Sequence, residues 1–293
     1  MIYSIENKFL RVSVDTSGAQ LQSVYSKITD TEYLWQGDPA YWSGRAYNLF
    51  PVIGRMLKGS YLYKGEEYPI RLHGVARFNV FRLENRTATK LTFLLKDNED
   101  TRKEYPFSFE FRVTFKLDGN KLTTEYDMKN TGDETMICAV GGHPGFNVPF
   151  AGGDFEDYYL EFNEKTVAKS QLKAPSGKFM SGRSAQYYLQ DGVRIPLEHK
   201  LFDNDAIILG NTARTVSIKS KTSNRYITVQ FDDFKYVGFW HTPMTDAPFV
   251  CIEPWSALPA IEGVEDDLET KQDMTYIPPR QNEMKSFVIE INE

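Results

Sequence analysis

The chain of 293 residues carries 25% charged and 14% aromatic side chains, a composition that suits a folded globule and excludes disorder. Forty acidic against 34 basic side chains leave a formal charge of -6, so no basic field exists to recruit nucleic acid or an anionic membrane, and a small molecule is the expected partner. Residues 1–8 show no basic stretch leading into an apolar one, and no run is apolar over a membrane's thickness, so a cytoplasmic monomer or homodimer is expected.

Period-two alternation of apolar and polar residues predicts strands at 10–15, 19–27, 79–85 and 90–96, bounded by Gly, Asn, Asp or Pro clusters. The longest alternating run, 107–117, places Phe107, Phe109, Phe111, Val113, Phe115 and Leu117 on one face. It meets Asp118-Gly119-Asn120, a tight-turn signal, and alternation resumes over 121–130, so the two runs read as a hairpin. Further strands are expected at 136–140, 215–220, 226–231, 236–240, 249–253 and 283–291. The polar stretch 164–183 reads as a surface excursion, and the best short-helix candidate lies within 261–274. Many strands without helical crossovers argue for antiparallel sheets packed face to face, hence a large all-β sandwich with few short helices, expected as a single domain over 1–293. Cys138 and Cys251 both lie in apolar runs and read as buried thiols rather than a disulfide.

Chemistry concentrates in a few segments. In Gly141-Gly142-His143-Pro144-Gly145-Phe146-Asn147 one of only four histidines sits among glycines and a proline, which reads as a turn at the mouth of a strand and as a site. His73, between Arg71 and Arg77 and followed by Gly74, is in similar company, although turn histidines among solvated arginines are common. Glu253 ends the apolar run 249–252 and meets Pro254-Trp255; burial beside the indole would raise its pKa into the range of a general base. Arg45 and Arg55 adjoin glycines, and an arginine fork can grip two hydroxyl oxygens. Asp203 and Asp205 precede a strand and resemble turn formers as much as ligands. Trp35, Trp42, Trp240 and Trp255 could floor a sugar site, though most tryptophans are core. There is no phosphate-cradling Gly-Lys-Ser/Thr loop, no Gly-x-Ser-x-Gly elbow and no closely spaced Cys/His set; zinc on His73, His143 and Glu253 is conceivable chemically but has no support from spacing.

The segments Leu49-Phe50-Pro51-Val52-Ile53-Gly54-Arg55, His73-Gly74-Val75-Ala76-Arg77, Gly142-His143-Pro144-Gly145-Phe146-Asn147, Asp205 before a strand, and Ile252-Glu253-Pro254 together resemble the aldose 1-epimerase (galactose mutarotase) family, in particular its bacterial LacX-like branch. The resemblance implies a galactose mutarotase-like β-sandwich and cofactor-free interconversion of α and β anomers of a free hexose. Glu253 would be the catalytic base toward the C1 hydroxyl and His143 the acid toward the ring oxygen, with His73, Arg55 and Asp205 binding substrate. Trp240-His241-Thr242 stands where the family commonly has a tyrosine-threonine pair, which adds Trp240 and His241 as expected substrate contacts. A related branch acts on hexose 6-phosphates, for which Lys58, Arg71 and Arg77 could supply cations, and a non-catalytic sugar-binding protein on the same fold is the third reading.

Overall fold

The computed structural model describes residues 1–293. Two large antiparallel sheets face each other. One has nine strands, in the order Arg194–Pro196, Tyr158–Phe162, Thr215–Ser220, Tyr226–Gln230, Asn282–Asn292, Lys121–Asn130, Phe109–Asp118, Lys90–Lys96 and Arg82–Arg86. The other has seven, in the order Met180–Gln186, Lys169–Lys173, Ile207–Gly210, Tyr236–Trp240, Phe249–Trp255, Gly141–Asn147 and Ala46–Leu49. A four-stranded sheet begins the chain, and two two-stranded ribbons complete the assembly.

The apolar faces meet in one cluster of 73 buried residues. Alternation explains the strongest elements: Phe109, Phe111, Val113 and Phe115 are buried, while Glu110, Arg112 and Lys116 on the opposite face make ion pairs with Lys96, Glu84 and Glu125. Phe111 stacks on Phe50 at 4.4 Å, and across the sheets Phe162 meets Phe239 edge-on at 6.2 Å. The expected hairpin is present, with Asp118 opposite Lys121 around the positive φ of Gly119. Both cysteines are buried and unpaired.

Three expectations are corrected. Residues 261–274 form turns and single bridges rather than a helix, because their carboxylates clamp backbone and lysine: Asp266 accepts from the Leu57 N–H and from Lys271 Nζ, both at 2.8 Å. The α-helix instead spans Glu99–Glu104, started by a capping box between Asn98 and Thr101. The stretch 164–183 supplies a strand pair, Lys169–Lys173 with Met180–Gln186, at the edge of the seven-stranded sheet, where exposure on both faces erases alternation. Finally, Gly141–Asn147 is a sheet strand and not a turn. Its glycines serve close packing: a Cβ on Gly142 would lie 2.8 Å from the Phe287 ring, and one on Gly145 would lie 3.1 Å from Trp42.

Candidate active site

Two neighbouring strands of the seven-stranded sheet, Gly141–Asn147 and Phe249–Trp255, carry the central pair of side chains. Their register is defined at Gly141↔Trp255 and again from Gly145↔Cys251, and is interrupted between those points. Pro144 and Pro254 lie in the interrupted stretch and have no N–H to give a ladder. There His143 and Glu253 face each other, with His143 Nε2 3.2 Å from Glu253 Oε2. Glu253 belongs to a strand that runs on to Trp255, so it is an interior residue and only 1% exposed; His143 is 8% exposed.

Around the pair lies a cavity of about 320 Å³, whose walls include Trp42, His73, Arg77, Trp240 and Trp255. Trp42 stacks on the His143 ring at 4.9 Å, Trp240 meets it edge-on at 5.6 Å, and His73 is 5.7 Å away. His73 is locked by the loop that delivers it: it has φ +64°, its N–H donates to the Gly54 carbonyl, and its Nδ1 accepts the Gly54 N–H at 3.1 Å. Gly74 must follow, because a Cβ there would lie 2.3 Å from the Phe50 carbonyl oxygen. An accepting Nδ1 leaves the proton of neutral His73 on Nε2, ready to donate. Asp205 holds its carboxylate against Lys173 Nζ at 2.8 Å.

Burial sets the charges. It pushes the Glu253 carboxyl well above 4.5, helped by the nearby Asp205 and opposed by Trp255 and Lys173. It pulls His143 down to about 3, with Arg77 adding to the effect, and holds His73 well below 6.5. Burial therefore favours a neutral carboxylic acid beside a neutral imidazole. His143 Nδ1, Trp255 Nε1 and Arg77 Nε are buried and find no hydrogen-bond partner within the protein, and Glu253 Oε2 has only the 3.2 Å approach of His143 Nε2. Unpartnered buried polar atoms gathered at one cavity mark a place where a polar ligand completes the bonding.

Residues 1–270 match the family model described as aldose 1-epimerase. The chain is 34% identical to the plasmid-encoded protein LacX of Lactococcus lactis subsp. lactis, over 99% of both chains. The chain belongs to the aldose 1-epimerase family. Among solved structures, a galactose mutarotase related enzyme from Lactobacillus acidophilus superimposes with a TM-score of 0.94 at 37% identity, covering 100% of this chain and 98% of that one. A galactose mutarotase-like protein from Lactobacillus casei also reaches 0.94, at 30% identity over 100% of both chains. The galactose mutarotase-like sandwich is thus the fold of this epimerase family member.

Most of the expected residues converge. His143, Glu253, His73, Arg55, Asp205 and Trp240 all line the same cavity. Asp203 does not; it lines a mainly polar cleft of about 450 Å³ that adjoins the first through Arg55, Lys178 and Asp205. His241 is corrected. It is fully buried, its Nε2 is 3.2 Å from His199 Nδ1, and its Nδ1 lies 2.8 Å from the Thr242 carbonyl, so it is outside the cavity lining. The strand ends at Trp240, and the next residue, His241, turns into a buried aromatic cluster with Phe155 and Phe202. Among the tryptophans, Trp35 packs in a small separate core and Arg45 bonds the Gln22 carbonyl, so neither lines the cavity.

The expected phosphate cations also change. Lys58 pairs with Glu265 and Arg71 with Glu104, whereas the cations lining the two cavities are Arg55, Arg77, Lys173 and Lys178. Lys173 and Lys178 arrive on the edge strand pair and its connecting loop, a stretch whose composition carried no sign of a site. The three donors brought together are His143, Cys251 and Glu253, whose ligating atoms lie within 4.8 Å of one another, with Cys251 in the place expected of His73. Alternation from Glu253 puts Cys251 on the same strand face, a signal present in the sequence.

Proposed function

We propose that this chain interconverts the α and β anomers of a free hexose such as galactose or glucose, with Glu253 and His143 as the acid–base pair. The observation that carries this reading is the buried 3.2 Å approach of those two groups at the wall of a cavity, with His143 Nδ1 left without a partner in the protein. Ring opening needs one proton removed from the C1 hydroxyl and one delivered to the ring oxygen. A carboxylate with an imidazolium holds the same number of protons as a carboxylic acid with an imidazole. The pair can therefore bind sugar in its neutral form, shift its one transferable proton to His143 as sugar oxygens replace the missing partners, and then act with Glu253 as base and His143 as acid. Rotation about the C1–C2 bond and reversal of both transfers deliver the other anomer and restore the pair.

The remaining walls suit a pyranose. Trp42 and Trp240 offer ring faces and edges for its C–H surface. His73 Nε2–H, Arg55 and Asp205 offer donors and acceptors for its hydroxyls. A hexose 6-phosphate is the second reading, favoured by one feature: Arg55 and Lys178 line both the cavity and the cleft, and Arg77 the cavity, without a carboxylate partner.

The test follows freshly dissolved α-D-galactose, α-D-glucose and their 6-phosphates by anomeric proton exchange in NMR, with wild type and Glu253→Gln. Accelerated exchange that vanishes in the variant is the expected result. Sugar binding without acceleration would replace the epimerase with a sugar-binding protein, and acceleration confined to the phosphates would select the second reading.

A further inference from the structure

We propose that His143, Cys251 and Glu253 form a binding site for a divalent transition-metal ion of the zinc class, ligated by one imidazole nitrogen, one thiolate sulfur and one carboxylate oxygen. The three ligating atoms already lie within 4.8 Å of one another. Tetrahedral zinc, with bonds of about 2.0–2.3 Å, needs its donors roughly 3.5 Å apart, a closure within reach of small side-chain rotations. Cys251 and Glu253 are two residues apart on one strand and so share a face, and His143 approaches from the adjacent strand, where Gly145 is opposite Cys251. All three residues are buried, His143 Nδ1 lacks a partner within the protein, and Glu253 Oε2 is 3.2 Å from His143 Nε2.

The donor chemistry selects the ion. Sulfur and imidazole favour zinc, cobalt(II) or nickel over magnesium and calcium, which demand six or more oxygens. A thiolate and a carboxylate together cancel a dication's charge, which a dry interior requires. Three protein ligands leave a fourth position, and the cavity lined by His143 and Glu253 is the route to it. The ion occupies the proton-transferring atoms of the proposed acid–base pair, so its effect on turnover is inhibition. That consequence rests on the epimerase reading; the binding itself does not.

Cobalt(II) alone, titrated into the full chain under anaerobic conditions, tests the site. The expected result is a near-ultraviolet thiolate-to-cobalt band that saturates at one equivalent and is displaced by zinc. Cys251→Ser removes the band and weakens zinc binding by more than about 100-fold, beyond the roughly 10–100-fold that loss of an outer partner would cost, while Cys138→Ser changes neither. Glu253→Gln keeps the band and weakens binding. In the same preparations zinc stops anomeric exchange at the concentrations where it binds, chelator restores it, and Cys251→Ser turns over but no longer responds. Absence of the band in wild type, its survival in Cys251→Ser, or its loss in Cys138→Ser would overturn the site. A band without any anomeric exchange leaves the site standing and removes the epimerase reading; exchange without a band does the reverse.

Discussion

Two central strand pairs, one in each large sheet, are built to opposite ends. In the hairpin of Phe109–Asp118 and Lys121–Asn130 every residue is registered, phenylalanines fill the inner face, and polar side chains are tied: Thr114 to Thr92 at 3.0 Å, and Asn130 to the Glu134 and Ile277 carbonyls, with Thr124 Oγ1 the exception. In the pair Gly141–Asn147 and Phe249–Trp255 the register is interrupted, glycines replace large side chains, and buried titratable atoms are left without partners. The first pair stabilises; the second leaves buried polar atoms for groups that enter the cavity to pair. A fold of this size supports the cost of such atoms because most of its 73-residue core lies outside that strand pair.

The comparison can be broken most strongly by exchanging damage between the pairs. Glu253→Gln is expected to lower kcat by about 10²–10⁴, the usual contribution of a positioned acid or base, while circular dichroism stays native. Phe111→Ala is expected to cost about 3–5 kcal/mol in urea unfolding, because it empties a fully buried position stacked on Phe50, yet to leave the turnover of the folded fraction unchanged. If Phe111→Ala abolished turnover in fully folded protein, the division of labour between the sheets would be wrong.

Smaller effects sharpen the contrast. Gly142→Ala places a methyl 2.8 Å from the Phe287 ring and should destabilise by about 1–3 kcal/mol, measured as a lower urea midpoint. The pH dependence of stability is next. The folded-state pKa of Glu253 is raised, so burial of this group costs stability increasingly as pH climbs above 4.5, where the unfolded chain is ionised and the folded one still holds the proton. Glu253→Gln removes that cost, so its Tm relative to wild type should rise from pH 4.5 toward neutrality; a constant difference would show that Glu253 is ionised in the folded protein. His143 acts in the other direction, its contribution being lost as pH falls from 6.5 toward about 3. Smallest of all, Lys173→Met breaks a partly exposed pair with Asp205, worth about 0–1 kcal/mol to stability, and should raise KM with kcat unchanged.

Legibility followed the same divide. Alternation announced the Phe109–Asp118 hairpin because one face is buried and the other wet. The family segments announced His143, Glu253, His73, Arg55 and Asp205 as residues of one cavity. The strand Gly141–Asn147 was hidden, since three glycines and a proline spell a turn locally and only the rings of Phe287 and Trp42 pressing on it explain them. His241 misled because its neighbour Trp240 does line the cavity, while His241, just past the strand's end, packs away from it against Phe155 and Phe202.

Residue order was enough to specify a sandwich of antiparallel sheets and the identity of the acid–base candidates, because side-chain periodicity and local motifs are short-range properties. Which groups share the cavity, which lysines reach it, and which way burial drives the pair's protons depended on packing between strands distant in the chain. His143 and Cys251 meet across two adjacent strands, and Lys173 reaches Asp205 from the strand next to the sheet's edge. Desolvation and contact are set by such long-range neighbours, so they enter only when the sheets close.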